Sequence, residues 1–474
     1  MKKNDVLLLC SAIGFSGLFY QQLAGINYVI FTLMVLLCLL LFKPENKNNP
    51  SWWILAACSL VAALSVYFTN SQLSVLATII SLLVLSSKNI NRENSILLSF
   101  LFACFSLLSA LVFWIASLLE NNTEDGATTT KKNWKFIGTI TLSALLLLLF
   151  FNLYRLSNPL FADFTKCINL DWLSIGWLFF TFFGFLVMYG LLKSKSITRL
   201  QLFENKAKQD IQNDSTNDEK HDEQLIWIGS ILFACLNLML LFLNGLDVVN
   251  IYISQKLPAG ITLSNFVHEA VWSTVFSIII AAGLIAWLFK GELNFVKAAQ
   301  KIKYLIYFWI AQSMLVVINT MVRNSWYIQQ YQLSYLRIGV FVFLILCLAG
   351  LLLTYYKVAK QKSVWNLFTS NVAIWYTLLI IAAPFNWDQV ITRYNIEHAS
   401  KTKPLDLYYL YYLSDANIPE LCSLLKRADV NKSDKRFIYT KLRATYLHDR
   451  YRTWPSNNYR ITQNTKAMLH LFEN

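Results

Sequence analysis

The sequence predicts an all-α fold, a polytopic transmembrane helical bundle of about 11–12 helices with a small helical C-terminal extramembrane domain. Three observations carry this. Of 474 residues, 56% are hydrophobic and 14% charged, whereas a soluble chain holds about 25% charged and about 45–50% apolar residues. The excess is gathered into long blocks, among them 31–42, 140–151 and 340–353. From 386 onward the composition reverts to that of a soluble domain. A soluble enzyme, a secreted disulfide scaffold and a nucleic-acid-binding domain are thereby excluded. The net charge of +14 is read as the Lys and Arg that cytoplasmic loops require.

A span needs roughly 20 mainly apolar residues, about 17–25 with tilt. In order, the candidates are 6–20, 26–42, 52–68, 73–85, 96–119, 136–151, 172–192, 225–243, 271–289, 304–322, 338–355 and 365–383. Segment 73–85 is short enough to be re-entrant or packed inside the bundle. Lys2 and Lys3 before the first apolar run resemble a signal peptide. No small-residue cleavage site follows, so an uncleaved first helix is expected.

Short basic loops set orientation. In the second half Lys193, Lys195, Arg199, Lys206, Lys208 and Lys220 share one loop, Lys290, Lys297, Lys301 and Lys303 the next, and Lys357, Lys360 and Lys362 a third. With these inside, 158–171, 249–270, 323–337 and the tail after Pro384 lie outside. Lys2, Lys3, Lys43 and Lys47 also favour the cytoplasm, which twelve full spans do not permit. One N-terminal segment is therefore expected not to span, with 73–85 the first choice.

These features divide the chain into an N-terminal transmembrane group (1–120), a polar linker (121–133), a transmembrane core (134–385) with a charged loop at 193–224, and a helical tail (386–474). The acidic run 213–223 reads as a solvated linker, since only His221 there offers a nitrogen ligand. In the tail, DLYYLYYL at 406–413 precedes a helix with Pro419 in its first turn and Leu421, Leu424 and Leu425 on its apolar face. A further helix is expected over 435–446. Tyr408, Tyr409, Tyr411 and Tyr412 either pack that region or form an interfacial belt. Cys10, Cys38, Cys58, Cys104, Cys235 and Cys347 fall in apolar spans, where Cys acts as a small hydrophobe. Cys167 and Cys422 fall outside them, on one side of the expected topology, so a disulfide between them is an open alternative. No CxxC, HExxH, Walker or GxSxG pattern occurs.

Helix centres are almost free of charge. Asn237, Gln312, Asn319 and Asn371 remain there, suited to interhelical hydrogen bonds. Charges gather at the expected outer helix ends instead: Arg155 and Asp163, Asp247 with Asn250, His268 and Glu269, Arg323, Arg337, then Asn386, Asp388, Arg393, Tyr394 and Asn395. The candidate polar site is Asp163, Asp247, His268, Glu269, Arg323, Arg337, Asn386, Asp388, Arg393 and Asn395. The alternative is ordinary placement of charge at membrane surfaces. Within a site His268 would titrate near neutral pH, and Glu269 would serve as acid or base where burial raises its pKa. His268, Glu269 and His398 lack zinc-ligand spacing, so neither a metal nor a cofactor is expected.

Several of these segments form a recognisable set. Pro258, Gly260 and Thr262 precede His268–Glu269–Ala270 at a helix entry; Arg323 is followed by Tyr331 and by Leu333, Ser334 and Arg337; Asn386, Asp388, Ile391, Tyr394 and Asn395 form a third motif; and Asp406, Tyr409, Leu410, Leu413, Ser414, Pro419 and Leu421 a fourth. In combination they resemble the bacterial multi-pass membrane proteins grouped as domain of unknown function 4153/4173, from about 150 to the early tail. Ser334 stands where that pattern usually has Thr. The resemblance implies a bacterial inner (cytoplasmic) membrane location and names no chemistry.

The leading functional expectation is a non-enzymatic binding, regulatory or assembly factor with an outward-facing polar site and the tail on the periplasmic side. Its expected partners are the lipid bilayer and a lipid, small-molecule or envelope-protein ligand at the outer face, with no nucleic acid. A lipid or uncoupled-solute transporter would place a polar cavity near Asn237, Gln312 and Asn319. A membrane enzyme acting on a lipid-linked envelope substrate would use Glu269, His268 or Asp388 as acid or base, with Arg323 or Arg337 on an anionic head group.

Overall fold

The computed structural model describes residues 3–120, 143, 147, 150–151, 153–165, 174–208, 219–254, 263–289, 299–400, 404–427, 430–449 and 452–472. Among these the chain is helical without strands, a polytopic all-α bundle. It forms two compact units, residues 1–94, 98–197 and 449–462, and residues 95–97, 198–448 and 463–474.

The first unit holds α1 (Lys3–Phe19), α2 (Ile26–Phe42), α3 (Pro50–Thr69), α4 (Gln72–Lys88), α5 (Ile96–Leu108), α6 (Ala110–Glu120), α7 (Pro159–Phe164) and α8 (Ile175–Leu192). The second holds α9 (Thr198–Lys208), α10 (Glu219–Asp247), α11 (Leu263–Leu288), α12 (Gln300–Tyr331), α13 (Tyr335–Ala359), α14 (Val364–Ala382), α15 (Trp387–His398), α16 (Leu407–Tyr412), α17 (Ile418–Leu425) and α18 (Lys432–Asp449), with α19 (Tyr459–Phe472) shared. Helices α3, α12, α13, α14 and the continuous Gln224–Ser254 are long and apolar enough to cross a membrane. Asn4–Phe19, Ile26–Phe42, Gln72–Lys88, Gly176–Leu192 and Val275–Leu288 are apolar and shorter. With the bent pair α5–α6 these fall on every expected span except 136–151, which lies largely outside the described residues.

Local chemistry sets the helix ends. Asn49 caps α3 by accepting from Ser51 N–H. At its other end Asn70 takes the left-handed conformation (φ 47°), and Ser71 caps α4 through Ser74 N–H. Asn adopts that conformation more readily than other side-chain-bearing residues, so α3 and α4 close into a hairpin. Helices α1 and α8 run antiparallel, with Asp5–Lys193 at one end (3.8 Å), Ser16–Thr181 between (2.7 Å) and Tyr20–Ser174 at the other (2.9 Å). They approach closely because Gly184 leaves room for Phe15, which an added Cβ would meet at 2.5 Å.

The expected continuous span 96–119 is broken, bent by 63° between α5 and α6. Ser106 at the far end of α5 accepts from Lys195 N–H at 2.8 Å, beside Lys193. The turn entering α5 lies next to the α2–α3 loop, where Asn46 bonds to Asn89. Counting α1 to α4 as alternating crossings, both ends of α5 lie on the Asp5–Lys193 face. Helix α5 therefore runs along that face, and α4 is as long as α1 and α2.

In the second unit α10 and α12 pack directly on each other and run parallel, and the intervening α11 packs against α12 and α13. Ile285, Phe289, Ile302, Ile306, Leu344 and Val358 are centres of its core. The extramembrane helices have a core of their own, in which Ile391, Leu410, Ile418, Leu421, Ile438, Leu442 and Met468 are buried together. Pro419 takes the first turn of α17. Tyr409 packs against this core while Tyr408 and Tyr412 are exposed. Lys441 is buried and donates to the carbonyls of Tyr411 and Leu413, both at 2.8 Å, and to Asn417 Oδ1 at 3.2 Å. It thereby closes the end of α16 with a cation where the helix dipole is negative.

Candidate functional site

The polar residues of α10 and α12 form a seam between the two parallel helices. Gln312 Nε2 donates to Asn237 Oδ1 at 2.7 Å, Asn237 Nδ2 to Leu305 O at 2.9 Å, and Asn244 Nδ2 to Gln312 O at 3.2 Å. The seam ends in a charged group in which Arg323 pairs with Asp247, whose other oxygen accepts from Asn319 Nδ2 at 3.3 Å. Beyond Asp247 the helix continues as a π-helical turn, Val248–Ser254. That turn sets Tyr252 so that its hydroxyl donates to Asn319 Oδ1 at 3.0 Å. Asp247 is 5% exposed, Arg323 8% and Asn319 0%, so the opposite charges neutralise each other away from water. Asn371 stays within its own helix, donating to Leu367 O at 2.8 Å.

A second group is built on the α12–α13 turn, where Gln332 has φ 70°. Arg337 folds back to donate to Tyr331 O at 2.6 Å and to Gln332 O, and its guanidinium stacks over the Tyr327 ring at 4.3 Å. It satisfies carbonyls that the end of α12 leaves open. Asn395 grips the same turn from α15, accepting from Leu333 N–H at 2.7 Å and donating to Leu333 O at 2.9 Å.

Asp388 centres a third group. Its carboxylate accepts from Tyr335 Oη at 2.7 Å and from the hydroxyl and N–H of Ser414. Tyr335 N–H donates to Tyr409 Oη at 3.0 Å. One carboxylate thus joins the start of α13, the first turn of α15 and the chain entering α17. Burial pushes the Tyr409 phenol upward, so it remains neutral when it accepts that bond. Burial also raises the Cys422 thiol to about 11, which keeps it from serving as a thiolate; Cys167 lies outside the described residues.

Along the outer side of α15 runs a cleft of about 400 Å³ lined by Phe385, Asn386, Val390, Arg393 and Tyr394. Asn386 caps α15 through Gln389 N–H at 3.2 Å. Arg393 pairs with Glu420 at 3.1 Å, and Gln389 Nε2 donates to the same oxygen at 2.7 Å. His398 bonds to Tyr394 O through Nδ1 at 2.9 Å and stacks on its ring at 4.0 Å.

The candidate residues therefore divide. Asp247 and Arg323 meet each other; Arg337 and Asn395 share the α12–α13 turn; Asp388 stands beside that turn through Tyr335; Asn386 and Arg393 line the α15 cleft. Asp163 is exposed on α7 in the first unit. His268 and Glu269 lie in the second turn of α11, and their side chains are outside the described residues. Among the described residues no three His, Cys, Asp or Glu side chains are grouped to hold a metal ion. Sequence reasoning passed over Tyr252, Glu420 and Lys441, whereas Tyr335 stood inside the motif from Tyr331 to Arg337 without a role of its own.

A family described as a domain of unknown function, DUF4153, matches residues 55–424. The chain belongs to this family. No curated protein and no solved structure matches the chain. The DUF4153 region opens within α3, earlier than the motifs had suggested, and closes at the end of α17. It contains every candidate residue and all three polar groups, and stops short of α18 and the segment that follows it.

Proposed function

We propose that the protein is a non-enzymatic binding or assembly factor of a bacterial inner membrane, presenting its extramembrane helices and the α15 cleft on the periplasmic side. One observation carries this reading. Asp247 and Arg323 pair between α10 and α12, Arg337 closes the α12–α13 turn, and Asp388 and Asn395 join the extramembrane helices to the start of α13 and to that turn, so the five serve the chain's own packing and converge on no common reaction centre. The α15 cleft is a polar feature open to a partner, with the Arg393 side chain 61% exposed. Transport has less support, because Asn237, Gln312 and Asn319 are buried against protein partners and border neither described cleft.

The first unit supports this orientation. Lys43, Lys47, Lys193 and Lys195 share the Asp5–Lys193 face, which favours the cytoplasm. The segment after α18 docks at the opposite end, where Ile26 N–H donates to Asn457 O at 2.8 Å and Leu23 N–H to Ser456 Oγ at 2.9 Å.

The test is photo-crosslinking in living cells from Val390 and Tyr394, each replaced by a photoreactive amino acid. Discrete adducts with a protein or small molecule are expected. Labelling of bulk lipid alone from both positions overturns the reading.

A further inference from the structure

In the first unit, the α1–α2 and α3–α4 turns border a cleft of about 420 Å³ with Leu23 on one wall and Gln72, Val75, Leu76 and Ile79 on the other. Those four residues of α4 follow helical spacing on one face. They run for about 10 Å along the axis, away from the turns and into the membrane-embedded part of the unit. Leu76 and Ile79 are 49% and 46% exposed. Such a wall suits an acyl chain.

The same cleft is bordered by one cation, Arg452, which sequence analysis had not singled out. It arrives from the far end of the chain. Residues 453–457 are pinned to the α1–α2 turn through Thr453, Ser456 and Asn457. The backbones approach so closely that a Cβ on Gly25 would lie 2.5 Å from Asn457 O. Asp449 pairs with Arg452 Nε at 2.9 Å, and the two side chains are only 5% and 10% exposed. This holds the guanidinium by one edge, and its terminal nitrogens make no hydrogen bond to a described residue. The N-terminus of α4, the positive end of its dipole, borders the same mouth.

A guanidinium fixed at a membrane surface above an apolar wall matches one ligand chemistry. Arg presents paired donors to phosphate oxygens, and the apolar wall below it is open along its length for a hydrocarbon chain. We propose that this cleft binds one phospholipid of the adjoining leaflet, with its phosphodiester on Arg452 and an acyl chain along Val75, Leu76 and Ile79. The site is complete only when the segment following α18 is docked, so the lipid also fastens that segment to the α1–α2 turn.

The test uses the full chain, purified in a mild detergent and titrated by native mass spectrometry with dioleoylphosphatidylglycerol or with dioleoylglycerol, which lacks the phosphate. One phosphatidylglycerol retained above the annular background is expected, with dioleoylglycerol about tenfold weaker or more, as loss of a charge-assisted bond implies. Arg452→Gln is expected to weaken retention about tenfold and Arg452→Lys less. Leu76→Trp fills the exposed wall while leaving Arg452 in place, and is expected to weaken retention as strongly; it decides the matter if Arg452→Gln fails to fold. Equal retention of the two lipids overturns the proposal, as does retention unchanged in Leu76→Trp.

Discussion

The α10–α12 seam and the extramembrane helices use similar residues at helix ends to opposite physical effect. In the seam, Asp247 meets a full opposite charge, and both side chains are withdrawn from water. Asp388 is nearly as buried, yet its described partners are two hydroxyls and one backbone N–H. Arg393 pairs with Glu420 but remains largely in solvent. Burial and the charge of the partner, more than residue type, decide how much each contact is worth.

The largest effect is expected in the seam. Removing one member of a buried ion pair strands the other, at a cost of about 3–5 kcal/mol, whereas replacing both with apolar groups of similar volume is often neutral. Asp247→Leu or Arg323→Met alone should therefore destabilise strongly, and the double variant should recover most of the loss. Thermal unfolding of the purified protein in detergent, arranged as a double-mutant cycle, measures this. Additive losses in the double variant would show that the pair is not the stabilising unit and would dissolve the contrast with the extramembrane helices.

Asp388→Asn should cost less, about 1.5–3 kcal/mol, the range for hydrogen bonds to a charged group. The amide still accepts from Tyr335, while Ser414 N–H loses its carboxylate acceptor. Hydrogen exchange should quicken in α16 and α17 and leave the seam protected. Full complementation of a deletion strain by both Asp388→Asn and Glu269→Gln would separate the binding or assembly reading from an acid–base enzyme.

How much of this was legible in the sequence depends on the range of the interaction. Spans are local in composition, and length with hydropathy located them. The α5–α6 bend escaped because Ser109 lies in a continuous apolar run, with neither Pro nor Gly to mark a break. Asp388 was visible as a charge after the last span, but its partners lie 53 residues before it and 26 after it. The seam was half visible: Asn237, Gln312 and Asn319 stood out as polar residues in apolar helices, whereas no periodicity foretells the π-turn that brings Tyr252 to Asn319. Arg452 was one basic residue in a basic tail until Gly25 and Asn457 showed where the chain returns.

The smallest effect is expected at Arg393–Glu420. Arg393 is mostly solvated, and exposed pairs contribute about 0–1 kcal/mol. Arg393→Ala should therefore leave thermal unfolding nearly unchanged, although Arg393 lines the α15 cleft. Glu420→Ala should cost more than Arg393→Ala, because Glu420 is only 10% exposed in its side chain and also holds Gln389. The asymmetry is informative because the proposed binding role needs Arg393 to be available to a partner and Glu420 to fix the wall behind it. Crosslinking from Val390 should fall in Arg393→Ala while stability holds. Loss of stability as large as that of Asp388→Asn would instead make Arg393 a structural strut, and the cleft would lose its claim to be the open face.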